Sequence, residues 1–150
     1  MFEDLKEKFD IIKEDIMVPD IKRFYISAKN ITGVLNFLKL SPSYFFNRLD
    51  CIYAKDIKTE FEITYILHSD NYQNKAAICT KLEYDNARTE SVSGIYKNAN
   101  WDEREIYDLF GITFINHPDL KRILLPDSFK GHPLRKNYKM EDERLRWNYE

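Results

Sequence analysis

The sequence predicts an α+β fold: helices packed on a mainly antiparallel or mixed sheet in the order α-β-α-β-β-β, then a capped helix and an irregular basic C-terminal arm. Three observations carry this. Apolar residues recur at three- and four-residue steps near the N-terminus, the period changes to two across residues 45–84, and no period survives beyond Gly111. A chain of 150 residues is also the size that one hydrophobic core serves.

Taken in order, Phe2, Leu5, Phe9, Ile12 and Ile16 make one stripe and predict an amphipathic helix over residues 1–16. Residues 20–27, with Phe24 and Ile26 among polar neighbours, read as a short strand. Asn30 is placed to cap a second helix carrying Ile31, Val34, Leu35 and Leu38 on one face, which Pro42 stops. Phe45, Leu49, Cys51 and Tyr53 are expected to face one way along a strand. Phe61, Ile63, Tyr65 and Leu67 then alternate with Glu60, Glu62, Thr64 and His68. After a polar turn at 69–74, Ala76, Ile78, Thr80, Leu82 and Tyr84 make a third run. Three such strands most simply form an antiparallel meander with one face under the helices.

Residues 85–98 are polar, with a helical turn at 91–96. The best-signalled helix follows over residues 101–110: Asn100 as N-cap, Glu103 as its capping-box partner and Gly111 as the left-handed residue that ends it. Pro118, Pro126 and Pro133 break what remains into extended pieces. The chain therefore divides into an α+β domain, residues 1–111, and an extended partner-binding arm, residues 112–150, of which the charged end at 140–150, with Trp147 and Tyr149, is expected to be disordered when the chain is alone.

Charge and composition exclude several functions. The 25 acidic and 23 basic side chains leave a formal charge of −2, too little for a global attraction to nucleic acid or an anionic membrane. That total conceals an asymmetry: residues 1–20 hold seven acids and three bases, whereas residues 117–139 hold six bases and two acids. Gly33, Gly94, Gly111 and Gly131 are too dispersed for a phosphate-cradling loop. Cys51 and Cys79 are too few for an iron-sulfur cluster and are expected to be small core residues. No apolar run approaches the roughly 20 residues of a spanning helix, and the acidic N-terminus is unlike a signal peptide, so a soluble intracellular chain is expected.

The helix 101–110 concentrates Asp102, Glu103, Arg104, Glu105 and Asp108. A solvated Arg104–Asp108 pair at i,i+4 would explain part of this and would stabilise by only about 0.5 kcal/mol. Glu105 and Asp108 could share acid-base work, but no nucleophile, phosphate loop or metal triad accompanies them. His117-Pro118 and His132-Pro133, with only His68 besides, fall short of a zinc set and suit loop corners fixed by hydrogen bonds. The run Lys130 to Lys136 suits an acidic protein surface better than nucleic acid, given the negative total.

These residues resemble a known family. Glu103-Arg104-Glu105, Asp108-Leu109-Phe110, His117-Pro118-Asp119, Lys121-Arg122, Ile123-Leu124, Leu125-Pro126-Asp127 and Gly131 to Lys136 fall, without a gap, in the order of the 30 kDa-type (C-type) subunit of the proton-pumping NADH:quinone oxidoreductase, respiratory complex I. Ser91-Val92 and Ala99-Asn100-Trp101 fit upstream. The resemblance implies a non-catalytic structural and assembly subunit of the hydrophilic arm, docked on the quinone-site (D-type) subunit beside other members of that arm. It implies no cofactor in this chain, with NADH, FMN, iron-sulfur clusters and quinone held by partner subunits. It places the chain at the cytoplasmic side of a prokaryotic membrane, or the matrix side of an organelle, reaching the membrane only through the complex.

On this resemblance Glu103, Arg104, Glu105 and Asp108 anchor the arm or the partner, His117 and His132 fix loop corners, and Arg122, Arg135 and Lys136 reach toward acidic groups on the neighbour. Many relatives continue with a longer tail, which leaves the size of the expected interface open but not its existence. The alternatives are the homologous subunit of a membrane-bound hydrogenase, formate hydrogenlyase or F420H2 dehydrogenase, and, more remotely, a free-standing module, either a small enzyme using Glu105 and Asp108 or a nucleic-acid binder using residues 121–139.

Overall fold

Residues 2–140 are described by a computed structural model, and the expectation for residues 141–150 lies outside them. The chain runs α1 (Glu3–Lys8), β1 (Ile11–Val18), β2 (Ile21–Ile26), a 3-10 turn (Ala28–Asn30), α2 (Ile31–Leu40), β3 (Arg48–Asp56), β4 (Glu60–Ser69), β5 (Asn74–Glu83), β6 (Arg88–Glu90), α3 (Ala99–Phe110) and β7 (Thr113–Ile115). Five strands form one sheet in the order β1-β2-β5-β4-β3. The meander β3-β4-β5 is antiparallel, β1-β2 is an antiparallel hairpin, and β2 joins β5 in parallel, so the sheet is mixed. The α+β class holds.

One face of this sheet meets the helices. Phe24 and Ile26 of β2, Phe61, Ile63, Tyr65 and Leu67 of β4 and Ala76, Ile78 and Leu82 of β5 pack with Ile31, Val34, Leu35 and Leu38 of α2 and Ile106 of α3. The two-residue alternation of β4 and the α2 stripe are thus read correctly from sequence. Asn30 does occupy the N-cap position of α2, although its side chain makes no cap hydrogen bond.

Five expectations need correction. The first helix ends at Lys8, and Ile11–Val18 is a strand. Phe2 and Leu5 are buried, but Ile12 and Ile16 are 71% and 72% exposed, so the apparent stripe joins residues of two elements. Ile11, Ile12, Ile16 and Val18 are β-branched, which favours a strand, and the hairpin adds Arg23–Asp15 and Lys22–Glu14 ion pairs between β1 and β2.

The common face proposed for Phe45, Leu49, Cys51 and Tyr53 does not exist. Phe45 sits at φ 45° in a turn, and a register shift between Leu49 and Cys51 reverses the parity, burying Leu49 and Ile52 while exposing Cys51 and Tyr53. Cys79 is buried as expected; Cys51 is not. The polar segment before α3 contains β6, whose parallel pairing with β7 makes α3 the crossover helix of a small β-α-β unit.

The start of α3 is the last correction. Its N-cap position is Asn98, without a side-chain cap bond, and the Glu103 carboxylate is turned to other donors. The predicted end is right: Gly111 adopts φ 71° and its N–H bonds to the Tyr107 carbonyl.

Candidate functional site: a helix wrapped by the arm

α3 presents three buried ionisable residues, Glu103, Arg104 and Asp108, each serving a different segment. Asp108 is the hub. One carboxylate oxygen accepts from the Arg122 guanidinium at 2.7 Å, and the other accepts the consecutive N–H groups of Ile123, Leu124 and Leu125 at 3.0, 2.8 and 2.9 Å. Three backbone donors converging on one oxygen form an anion-holding turn whose anion is supplied by the chain itself. Burial pushes the Asp108 carboxyl upward, but the donors of Leu125, Arg122, Ile123 and Leu124 outweigh it and hold the pKa at about 2.

Arg104, one turn earlier, donates to the carbonyls of Lys121 and Arg122 at 3.2 and 3.1 Å and lies over the ring of Trp101. It does not pair with Asp108. The i,i+4 expectation fails because the arm offers both residues better-aligned and less hydrated partners. Arg122 completes the circuit, bonding the Asp108 side chain and carbonyl and the Gly131 carbonyl.

Glu103 points to the opposite side of α3. It is fully buried, accepts Ser91 O–H at 2.6 Å and Val92 N–H at 2.7 Å, and so ties the helix to the turn after β6. Burial raises its pKa to about 7 despite these two donors, with Asp102 adding to the rise. The His117 ring lies beside it, with Nε2 at 3.7 Å from the carboxylate. Nδ1 of His117 accepts the Asp119 N–H, so Nε2 carries the proton and faces the Asn100 carbonyl at 3.2 Å.

The end of α3 is closed by the arm. His132 Nδ1 donates to the Asp108 carbonyl at 2.9 Å, and the Leu134 N–H bonds to the Leu109 carbonyl. Arg135 donates to the carbonyls of Phe110 and Gly111 while its guanidinium covers the Phe61 and Tyr84 rings. A cation on the last carbonyls complements the helix dipole. Gly111 is required twice over: its φ is left-handed, and a Cβ there would stand 2.5 Å from His132 Cδ2.

Seven of the nine residues singled out in the sequence therefore gather their side chains where the arm winds on α3. Glu105 does not join the buried set and remains exposed. Arg122 and Arg135 spend their donors inside the chain, whereas the Lys136 side chain faces outward. Sequence reasoning missed Asp56. Buried at the end of β3, it accepts from Lys58 N–H, Tyr84 O–H and Lys136 N–H at 2.7 to 2.8 Å, pinning the arm to the sheet. An aspartate two residues before a turn lysine hints at a local side-chain turn, but nothing local announces a partner 80 residues away. Among the described residues no group of three or more His, Cys, Asp or Glu is placed to hold a metal, and no helix is long and apolar enough to cross a membrane.

Residues 24–144 match the family described as respiratory-chain NADH dehydrogenase, 30 Kd subunit. The chain belongs to that family. The C-type subunit of the NADH-quinone oxidoreductase of Roseiflexus sp. is 35% identical over 130 residues, covering 83% of this chain and 74% of the relative. The mitochondrial NADH-ubiquinone oxidoreductase 30.4 kDa subunit of Neurospora crassa is 34% identical over 137 residues, 89% of this chain but 46% of its own length. In Shewanella woodyi the similar NADH-quinone oxidoreductase protein bears the joint name C/D; it is 33% identical over 156 residues, 91% of this chain and 26% of the relative.

Two solved structures share the fold of this 30 kDa-type subunit. A chain from the archaeal membrane-bound sulfane sulfur reductase superposes with TM-score 0.78 at 25% identity, covering 93% of this chain and 84% of that one. A trypsin-resistant fragment of Nqo5 gives TM-score 0.66 at 26% identity, covering 79% and 94%. Family membership makes the chain a subunit type of an oxidoreductase complex, and the residues wound around α3 fall within the matched range.

Proposed function

We propose that this chain is a non-catalytic structural and assembly subunit of the hydrophilic arm of a proton-translocating NADH:quinone oxidoreductase. It docks on the quinone-site (D-type) subunit and keeps its neighbours in register for electron transfer from NADH to quinone. NADH, FMN, the iron-sulfur clusters and quinone are bound by partner subunits, and the complex holds this chain peripherally at the cytoplasmic side of the membrane, or the matrix side in an organelle.

The Shewanella relative carries the docking reading. A protein named for both C and D, matched over about a quarter of its length, makes the two one polypeptide there and supports their being neighbours when separate. The geometry is compatible with a scaffold: of the buried charges of α3, Arg104 and Asp108 are spent on holding the arm and Glu103 on the turn after β6, not on a cavity where chemistry could occur.

A second reading has its own support. The sulfane sulfur reductase chain covers more of this molecule, at a higher TM-score, than the Nqo5 fragment does, which favours a homologous subunit of a related membrane-bound complex. Purification of the complex from native membranes, with identification of every subunit and a cofactor inventory, tests both. A quinone-site subunit together with an NADH- and FMN-binding one supports the first reading; a nickel, deazaflavin or sulfur-reducing partner supports the second; a chain that travels alone contradicts both.

A further inference from the structure

We propose that the notch between the β3–β4 turn and the arm is a carboxylate socket, occupied in the assembled complex by an aspartate or glutamate side chain of the subunit covering the arm. The proposal rests on the docking reading above. The notch, about 270 Å³, is lined by Lys58, Tyr84, Lys136 and Asn137.

Its floor is already neutralised from within. Asp56 uses one oxygen for the Lys58 N–H and the other for the Tyr84 O–H and the Lys136 N–H, and these donors hold its carboxyl below the usual range against the effect of burial. One buried carboxylate thus fixes the backbones of two lysines from distant parts of the chain on either side of one opening. Among the described residues neither lysine's ammonium group has a carboxylate at ion-pair distance. Lys58 moreover stands at φ 75°, a conformation that costs a lysine energy and that glycine or asparagine would fill more cheaply.

Of the other bases of the arm, three are engaged, while Lys130 and Lys139 do not line the notch. Lys121 pairs with Asp119, Arg122 with Asp108, and Arg135 covers the end of α3. Two ammonium groups line one opening beside the Asn137 amide, neither with an ion-pair partner among the described residues and only Lys136 acting at longer range on Asp56, and together they favour an anion that can accept from both. A protein carboxylate meets that demand because the socket is formed by the arm itself, the segment assigned to the partner.

The native complex treated with a zero-length carbodiimide tests this, since the reagent joins a lysine amine to a carboxylate already in contact with it. The expected product is a peptide in which Lys58 or Lys136 is linked to an Asp or Glu of a neighbouring subunit. Lys58→Gln/Lys136→Gln, which puts no new negative charge beside Asp56, should leave the fold intact, with a melting temperature within about 2 °C, yet lower retention in the complex by about tenfold or more. Full retention of this variant with no crosslink at either lysine would overturn the socket while leaving docking intact. A wild-type chain found with no neighbour would overturn both.

Discussion

Asp108 and Glu103 lie five residues apart on one helix and shift in opposite directions, because their donors differ in number and charge and because burial, which raises both, weighs more heavily on Glu103. Asp108 has three N–H groups and a guanidinium; its pKa falls from 3.8 to about 2. A depressed acid stabilises the fold fully above its ordinary value, and the contribution is lost as pH falls from about 4 toward 2. Asp108→Asn removes the counter-charge of Arg122 and replaces one of the two acceptor oxygens by an NH2 donor, facing either the guanidinium or the three backbone N–H groups, so thermal unfolding should show a loss of about 3 kcal/mol at neutral pH. Glu103 has two donors, neither charged, and its pKa rises from 4.5 to about 7. Here the folded state binds the proton more tightly than the unfolded chain, so this residue's contribution falls as pH rises from about 4.5 through 7. Glu103→Gln removes that dependence. The melting temperature of the variant minus that of the wild type should therefore increase from pH 5 to pH 8; a constant difference would refute the assignment.

At the level of elements, α3 and the arm form one unit, joined at Gly111. Gly111→Ala imposes a left-handed alanine and drives its Cβ into the His132 ring, so a loss of about 2 kcal/mol is expected. Limited proteolysis should locate the damage, with cleavage gained within residues 117–136 before the sheet opens. How far such elements can be read from sequence depends on whether their determinants are local. The α2 stripe, the β4 alternation and the Gly111 cap are local and legible. The β1 strand is not, because Ile12 and Ile16 happen to continue the helical spacing of Phe2 and Leu5 while facing solvent. Nor is the bulge after Leu49, since one inserted residue leaves no mark on composition while exchanging the two faces of β3. Glu103 illustrates the same limit. Its spacing from Asn100 satisfies a capping box, but tertiary donors from Ser91 and Val92 take the carboxylate away from the helix start.

For the molecule as a whole, the near-zero net charge is an average over two differently used ends. Glu14 and Asp15 pair with lysines and Arg23 inside the β1–β2 hairpin region, whereas the basic arm divides its charges between inward arginines and outward lysines. The arm and its charged helix stand out in the sequence, but distance alone makes the inward and outward roles illegible there: Arg122 is 14 residues from Asp108, and Lys136 is 80 from Asp56. If the exposed lysines dock on an acidic partner, the complex should dissociate increasingly as salt is raised, measurable as a falling bound fraction by native mass spectrometry across an ionic-strength series.

On this view α3 holds the arm in a shape that a partner recognises. Co-expression of this chain with the quinone-site subunit, followed by sizing of the purified product, tests that most directly. A one-to-one complex is expected for the wild type, and its loss for Asp108→Asn at a temperature where the variant chain is still folded. A wild-type chain that elutes free of the quinone-site subunit, or an Asp108→Asn chain that binds as well as the wild type, would contradict it.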